Sequence, residues 1–169
     1  MRLLVAHTWD GVAAPADEQV TLALSWDDDA LCIDVSAPLH GDPPPAVPPG
    51  PTPGLWEHEV VELFAVGQDG RYTEIELGPY GHHLVLRLDG VRQVRDQLHP
   101  LELAVERRDG RWSARARLAI ALLPPGPLRV NAYAIHGEGA QRRYLCHTPL
   151  PGPRPDFHQP DRFAALLGR

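Results

Sequence analysis

Apolar side chains recur at every second position through most of the chain, and a 3.6-residue period is almost absent. Leu3, Val5 and His7 alternate with Leu4 and Ala6, and Val20, Leu22, Leu24 and Trp26 alternate with Thr21, Ala23 and Ser25. Successive strand residues point to opposite faces, so this pattern predicts strands with one buried face. Asp27-Asp28-Asp29 reads as a turn, after which Leu31, Ile33 and Val35 return as a hairpin partner. Leu84, Leu86 and Leu88 form a further stripe, as do Leu128, Val130, Ala132 and Ala134. Leu101, Leu103 and Val105 lead into Asp109-Gly110, both of which tolerate positive φ, and Trp112, Ala114, Ala116, Leu118 and Ile120 lead out. About eight to ten short strands spaced this way predict an all-β, antiparallel β-sandwich of jelly-roll-like type.

Two strands in the middle break the apolar rule in an informative way. Leu55 to Phe64 and Tyr72 to Pro79 flank a Gly67-Gln68-Asp69-Gly70 turn. On the first, Trp56, His58, Val60, Glu62 and Phe64 share a face; on the second, Tyr72, Glu74 and Glu76 do. Acids and aromatics thus stand where a plain sandwich carries Val or Leu, with Glu74 and Glu76 expected as solvated acids. Two segments lie outside the alternation. Half of residues 38–53 are proline, which donates no backbone hydrogen bond, so a surface loop biased toward polyproline II is expected there. Residues 149–160 are also proline-rich, and Asp161 is placed to cap a short C-terminal helix or turn whose Phe163, Leu166 and Leu167 pack back on the sandwich.

A chain of 169 residues is expected to form a single domain over residues 1–169. A net charge of −6 argues against nucleic acid or an anionic membrane as partner, since a phosphate backbone needs a basic stripe. All sixteen basic residues are Arg, which reads as coding bias. The start is too briefly apolar for a signal peptide, so a cytoplasmic location is expected, with Cys32 and Cys146 as free thiols.

Trp56, Val61, Glu62, Leu63 and Phe64, followed by Tyr72, Glu74, Pro79 and Gly81, then Trp112, Asn131, Phe157, His158, Pro160 and Phe163, form an ordered set. It resembles the family-9 carbohydrate-binding modules and the wider DOMON-like β-sandwich superfamily, most closely the small free-standing bacterial members. The resemblance implies a sandwich whose cleft takes a sugar or, in other branches, haem. It makes Trp56 the ring that stacks on a pyranose face, and Glu62, Glu74 and Asn131 the readers of hydroxyls. Sugar-binding members carry a second, late tryptophan and an Arg two residues after the Asn. Here Tyr144 or His147 stands in for the first and Tyr133 occupies the place of the second.

The leading expectation is therefore a non-catalytic module that binds a saccharide or related polyol through Trp56, Glu62, Glu74, Asn131, Tyr133 and His147, weakly and independently of calcium. No cofactor is expected; a structural calcium on the Asp27-Asp28-Asp29 turn is the exception considered, and Met/His haem ligation is excluded because Met1 is the sole methionine. No metal ligand set is expected: His82 and His83 are adjacent, and His58 and Glu62 stand ~13–14 Å apart along one strand. A convergence of His136, His147 and His158 is left open. The alternatives are a hydrolase or metal-dependent enzyme with Glu and His clustered in the cleft, and a scaffold that docks another protein.

Overall fold

The computed structural model describes residues 1–150 and 152–168. The strands in chain order are β1 (Arg2–Val5), β2 (His7–Thr8), β3 (Val20–Trp26), β4 (Ala30–Pro38), β5 (Val60–Val66), β6 (Tyr72–Leu77) and β7 (His83–Leu88). They continue with β8 (Val94–Gln97), β9 (Glu102–Arg108), β10 (Arg111–Ala119), β11 (Leu128–His136), β12 (Arg143–Cys146) and β13 (Ala165–Leu167). One sheet runs β1-β3-β4-β10-β9 and the other β2-β12-β11-β5-β6-β7-β8, with every pairing antiparallel. This is the all-β sandwich that the alternation predicts. Its hairpins lie where the turn residues place them: Asp109 and Gly110 both adopt positive φ (53° and 72°), which matches the twist of β9 and β10.

The expected short C-terminal helix or turn is a single 3-10 turn, Pro160–Arg162, followed by β13, which pairs with the start of β11. Phe163 and Leu167 are buried, but Leu166 faces solvent. Among the described residues no helix is long and apolar enough to cross a membrane. Both cysteines are unpaired, and burial pushes the Cys146 thiol up to about 12. Asp27 and Asp29 in the first hairpin turn both pair with Arg117 of β10.

The two faces of the second sheet differ from the usual division into one wet and one dry side. Val61, Leu63, Ala65, Ile75, Leu77 and Val85 face the first sheet and complete the main core. On the opposite face Val60, Phe64, Tyr72, Leu86, Tyr133 and Ile135 form a second apolar layer, closed from outside by Phe157 and Phe163. Both faces of β5 and β6 are therefore buried along their whole length.

The proline-rich loop is tied down rather than free. Glu59, buried at its base, accepts hydrogen bonds from the backbone N–H groups of His40 (3.0 Å), Gly41 (3.0 Å) and Asp42 (3.3 Å). Asp42 in turn accepts from the N–H of Gly137 at 2.6 Å, and Val47 O meets His82 Nε2 at 2.9 Å. Removing the carboxylate strands three donors, so Glu59→Ala is expected to lose about 2–3 kcal/mol of stability. Hydrogen exchange should show the Gly41 and Asp42 amides losing protection; unchanged protection would mean the prolines alone hold the loop.

Candidate functional site

A pocket of about 350 Å³ opens in the outer layer of the second sheet, lined by Trp56, Glu62, Phe64, Glu74, Leu86, Leu88, Arg92, Ile135, Tyr144, Asp156, Phe157 and His158 among others. No residue of the 38–53 loop lines it. Trp56 sits at the rim on a 3-10 turn, Leu55–Glu57, entered through Gly54 at φ 73°. Arg142 locks that turn in place: its guanidinium donates to the carbonyls of Trp56 (2.5 Å), Glu57 (3.0 Å) and Gly137 (3.0 Å). Trp56, 43% exposed as a residue, is thus held by its backbone while its side chain lines the pocket mouth.

The floor is acidic. The β5–β6 register sets Glu62 opposite Glu76 and Phe64 opposite Glu74, so all three glutamates project from one face. They are almost wholly buried, at 2%, 5% and 0% exposure for Glu62, Glu74 and Glu76. One carboxylate oxygen of each lies within 4.8 Å of the other two. Burial, compounded by mutual repulsion, raises the Glu62 and Glu76 carboxyls well above the usual range. Burial also raises Glu74 to about 8, against the hydrogen-bonding influence of the Glu76 carboxyl and the weaker pull of Arg92. Glu74 and Glu76 are therefore not the solvated acids that strand alternation suggests; the layer of residues 155–163 removes them from water.

Opposite the carboxylates stands His158, whose Nε2 is 3.9 Å from Glu74 and whose Nδ1 meets the Tyr72 hydroxyl at 2.7 Å. Burial holds its imidazole down to about 4, so it is neutral at ordinary pH. Arg92, in the left-handed region at φ 58°, reaches over the pocket edge to Asp156 at 2.9 Å. A non-glycine residue at such a φ is uncommon and carries local strain.

Of the residues singled out from sequence, Trp56, Glu62 and Glu74 come together around one pocket. Asn131, Tyr133 and His147 do not line it. Asn131 is fully buried and saturated: Nδ2 donates to the Tyr133 hydroxyl and Thr148 O, while Oδ1 accepts from the N–H groups of Ala132 and Thr148. Tyr133 lies under the wall, its ring stacked on Phe157 at 3.9 Å. His147 pairs through Nδ1 with the backbone of Leu4, away from the pocket. Of the two residues considered for the late aromatic, Tyr144 is the one that lines the pocket. His136 stacks on His40 with ring centres 3.5 Å apart, so His136, His147 and His158 serve three separate places. Sequence reasoning passed over the joint burial of Glu76 with its neighbours, and over Arg92 and Asp156. The signal for Glu76 was its two-residue spacing from Glu74.

Fold and pocket together define an all-β sandwich with a semi-enclosed acidic and aromatic pocket on the outer face of one sheet. No family model matches the chain. In sequence it is 40% identical over 173 residues to the UPF0462 protein C4orf33 homolog of Danio rerio, covering 96% of this chain and 87% of that protein. It is 39% identical over 167 residues to the UPF0462 protein C4orf33 of Homo sapiens, covering 94% and 83%. The chain belongs to the UPF0462 family. These relatives are vertebrate proteins and give no support to the expected kinship with small bacterial members. In structure it is similar to a proposed carbohydrate-binding protein from Bacteroides uniformis, with a TM-score of 0.74, 17% identity, and coverage of 96% of this chain and 84% of that one. That likeness is one of fold. A family-9 carbohydrate-binding module from Caldicellulosiruptor kristjanssonii, solved with cellotriose, is more distant, with a TM-score of 0.43 at 12% identity over 76% of this chain and 64% of that one.

Proposed function

We propose that this chain is a non-catalytic binding module that takes a saccharide or related polyol in the outer-face pocket. The observation that carries the reading is the pairing of an available Trp56 ring with the buried carboxylates Glu62 and Glu74 inside one cavity of about 350 Å³. A sugar offers apolar C–H faces and hydroxyl groups, and this cavity offers a flat ring for the first and oxygen acceptors or donors for the second. A volume of this order suits a compact ligand of one or two sugar rings. Tyr144 and Phe157 supply further aromatic wall.

The test is a titration of the full chain with a panel of mono- and disaccharides, read by calorimetry and by tryptophan fluorescence. Trp56→Ala is expected to weaken binding roughly tenfold or more, equivalent to about 1.4 kcal/mol. The ring is at the surface, so the variant should unfold at the wild-type temperature. Absence of binding across the panel would sink the reading, whereas unchanged affinity in Trp56→Ala would remove that ring from the site.

A further inference from the structure

Three carboxylates in one dry place need either protons or a cation, and Glu76 tips the balance. Glu62 and Glu74 line the pocket, whereas Glu76, across from Glu62 on the same sheet face, has no solvent exposure. Neither oxygen of Glu76 has a hydrogen-bond partner of normal geometry among the described residues; the Trp56 backbone N–H and the Glu74 carboxyl are near enough to act on it but do not close a regular bond. Burying an acid in this way is costly, and one of its oxygens lies within 4.8 Å of an oxygen of each of the other two carboxylates. Among the described residues no Arg forms an ion pair with any of the three; the nearest approach is His158 to Glu74 at 3.9 Å. Arg142 is committed to three backbone carbonyls and Arg92 to Asp156.

We infer that Glu62, Glu74 and Glu76 form a site for one hard divalent cation, calcium foremost, at the floor of the pocket. Three oxygens bound to one calcium ion at ~2.3–2.6 Å can be mutually about 4.0–4.5 Å apart, so oxygens mutually within 4.8 Å reach that arrangement by at most a small shift of the side chains, with the strands in place. Magnesium, at ~2.0–2.1 Å, requires the carboxylates to close in. A purely carboxylate set suits calcium or manganese better than zinc, which takes nitrogen and sulfur. Pairing of Glu62 with Glu76 across β5 and β6, and the two-residue step to Glu74, make the set rigid. Calcium takes about six to eight oxygens. Positions the glutamates leave free face the pocket, where water or two adjacent hydroxyls of a polyol complete the shell. That last step rests on the saccharide reading above and replaces the expectation of calcium-independent binding; the ion site itself stands apart from it.

The test uses the full chain stripped with EDTA, freed of chelator, and titrated with calcium chloride alone by calorimetry and thermal unfolding. One calcium per chain and a rise in Tm are expected. Binding should weaken roughly tenfold or more in both Glu62→Gln and Glu76→Gln, each checked for native circular dichroism. Manganese chloride followed by electron paramagnetic resonance should give the same stoichiometry. No binding of either ion at millimolar concentration overturns the site, and so does full-strength binding in both variants. A saccharide found in the panel is then titrated with calcium and with EDTA. Affinity lost in EDTA supports coordination through the ion, and affinity kept in EDTA removes the ion from recognition while the saccharide reading stands. Calcium binding with no saccharide response keeps the cation site and sinks the saccharide reading.

Discussion

Replacing Asn131 by Ala is expected to destabilise the protein by about 3–4 kcal/mol, the largest loss among the substitutions considered. The side chain spans two segments seventeen positions apart. It holds both the N–H and the C=O of Thr148, at 3.0 and 2.9 Å, and it also bonds the Ala132 N–H and the Tyr133 hydroxyl. Alanine strands the buried Ala132 N–H and Tyr133 hydroxyl outright and removes the partner of the half-buried Thr148 groups. Each buried group left unpaired costs about 1–3 kcal/mol. Urea unfolding followed by circular dichroism measures the loss. A loss under about 1 kcal/mol, together with weakened ligand affinity, would return Asn131 to the role of ligand reader that its family resemblance implies.

That residue also shows where strand patterning stops being informative. Period-two alternation tells which residues share a face, and it correctly groups Glu62 with Phe64 and Tyr72 with Glu74 and Glu76. It does not tell whether the face is wet. Here the cover comes from Tyr144, Leu150 and residues 155–163, far along the chain, and that cover turns three ordinary strand acids into a buried triad. Asn131 is likewise on the pocket-side face of β11, but its partner Thr148 is set by tertiary pairing that no local spacing encodes. Trp56 was legible because it follows a proline-rich loop and precedes β5, which places it at an edge. His147 was not, because the β12–β11 pairing ends one residue earlier, at Cys146, and the imidazole turns to Leu4. The C-terminal end takes the turn of the two forms expected there, and the strand after it was not legible: β11 offers an unpaired edge beyond β12, and edge pairing by β13 wins over a short isolated helix.

Glu76→Gln should make the metal-free protein more stable, by roughly 1–3 kcal/mol at pH 8, although it alters a wholly buried position. Most core substitutions destabilise, so the direction is diagnostic. The glutamine keeps the shape, loses one ionisable group, and gains an amide N–H pair able to donate to Glu62 and Glu74. The pH dependence follows from the direction of the shifts. Carboxyls raised in the folded state release protons more readily once unfolded. The stability they allow is therefore complete below the ordinary carboxyl range near 4.5 and is lost as the pH rises through the folded value, about 8 for Glu74. Wild type in EDTA should weaken from pH 5.5 to pH 8, the variant should weaken less, and the gap between them should be small at the lower pH. Added calcium should reverse the order at pH 8, because wild type then has the ion in place of protons and the variant does not. Urea unfolding at both pH values, with calcium and with EDTA, gives the four comparisons. A variant less stable than wild type in EDTA at pH 8 would mean that Glu76 has a native partner worth more than its desolvation, and the case for a stranded carboxylate would fall with it.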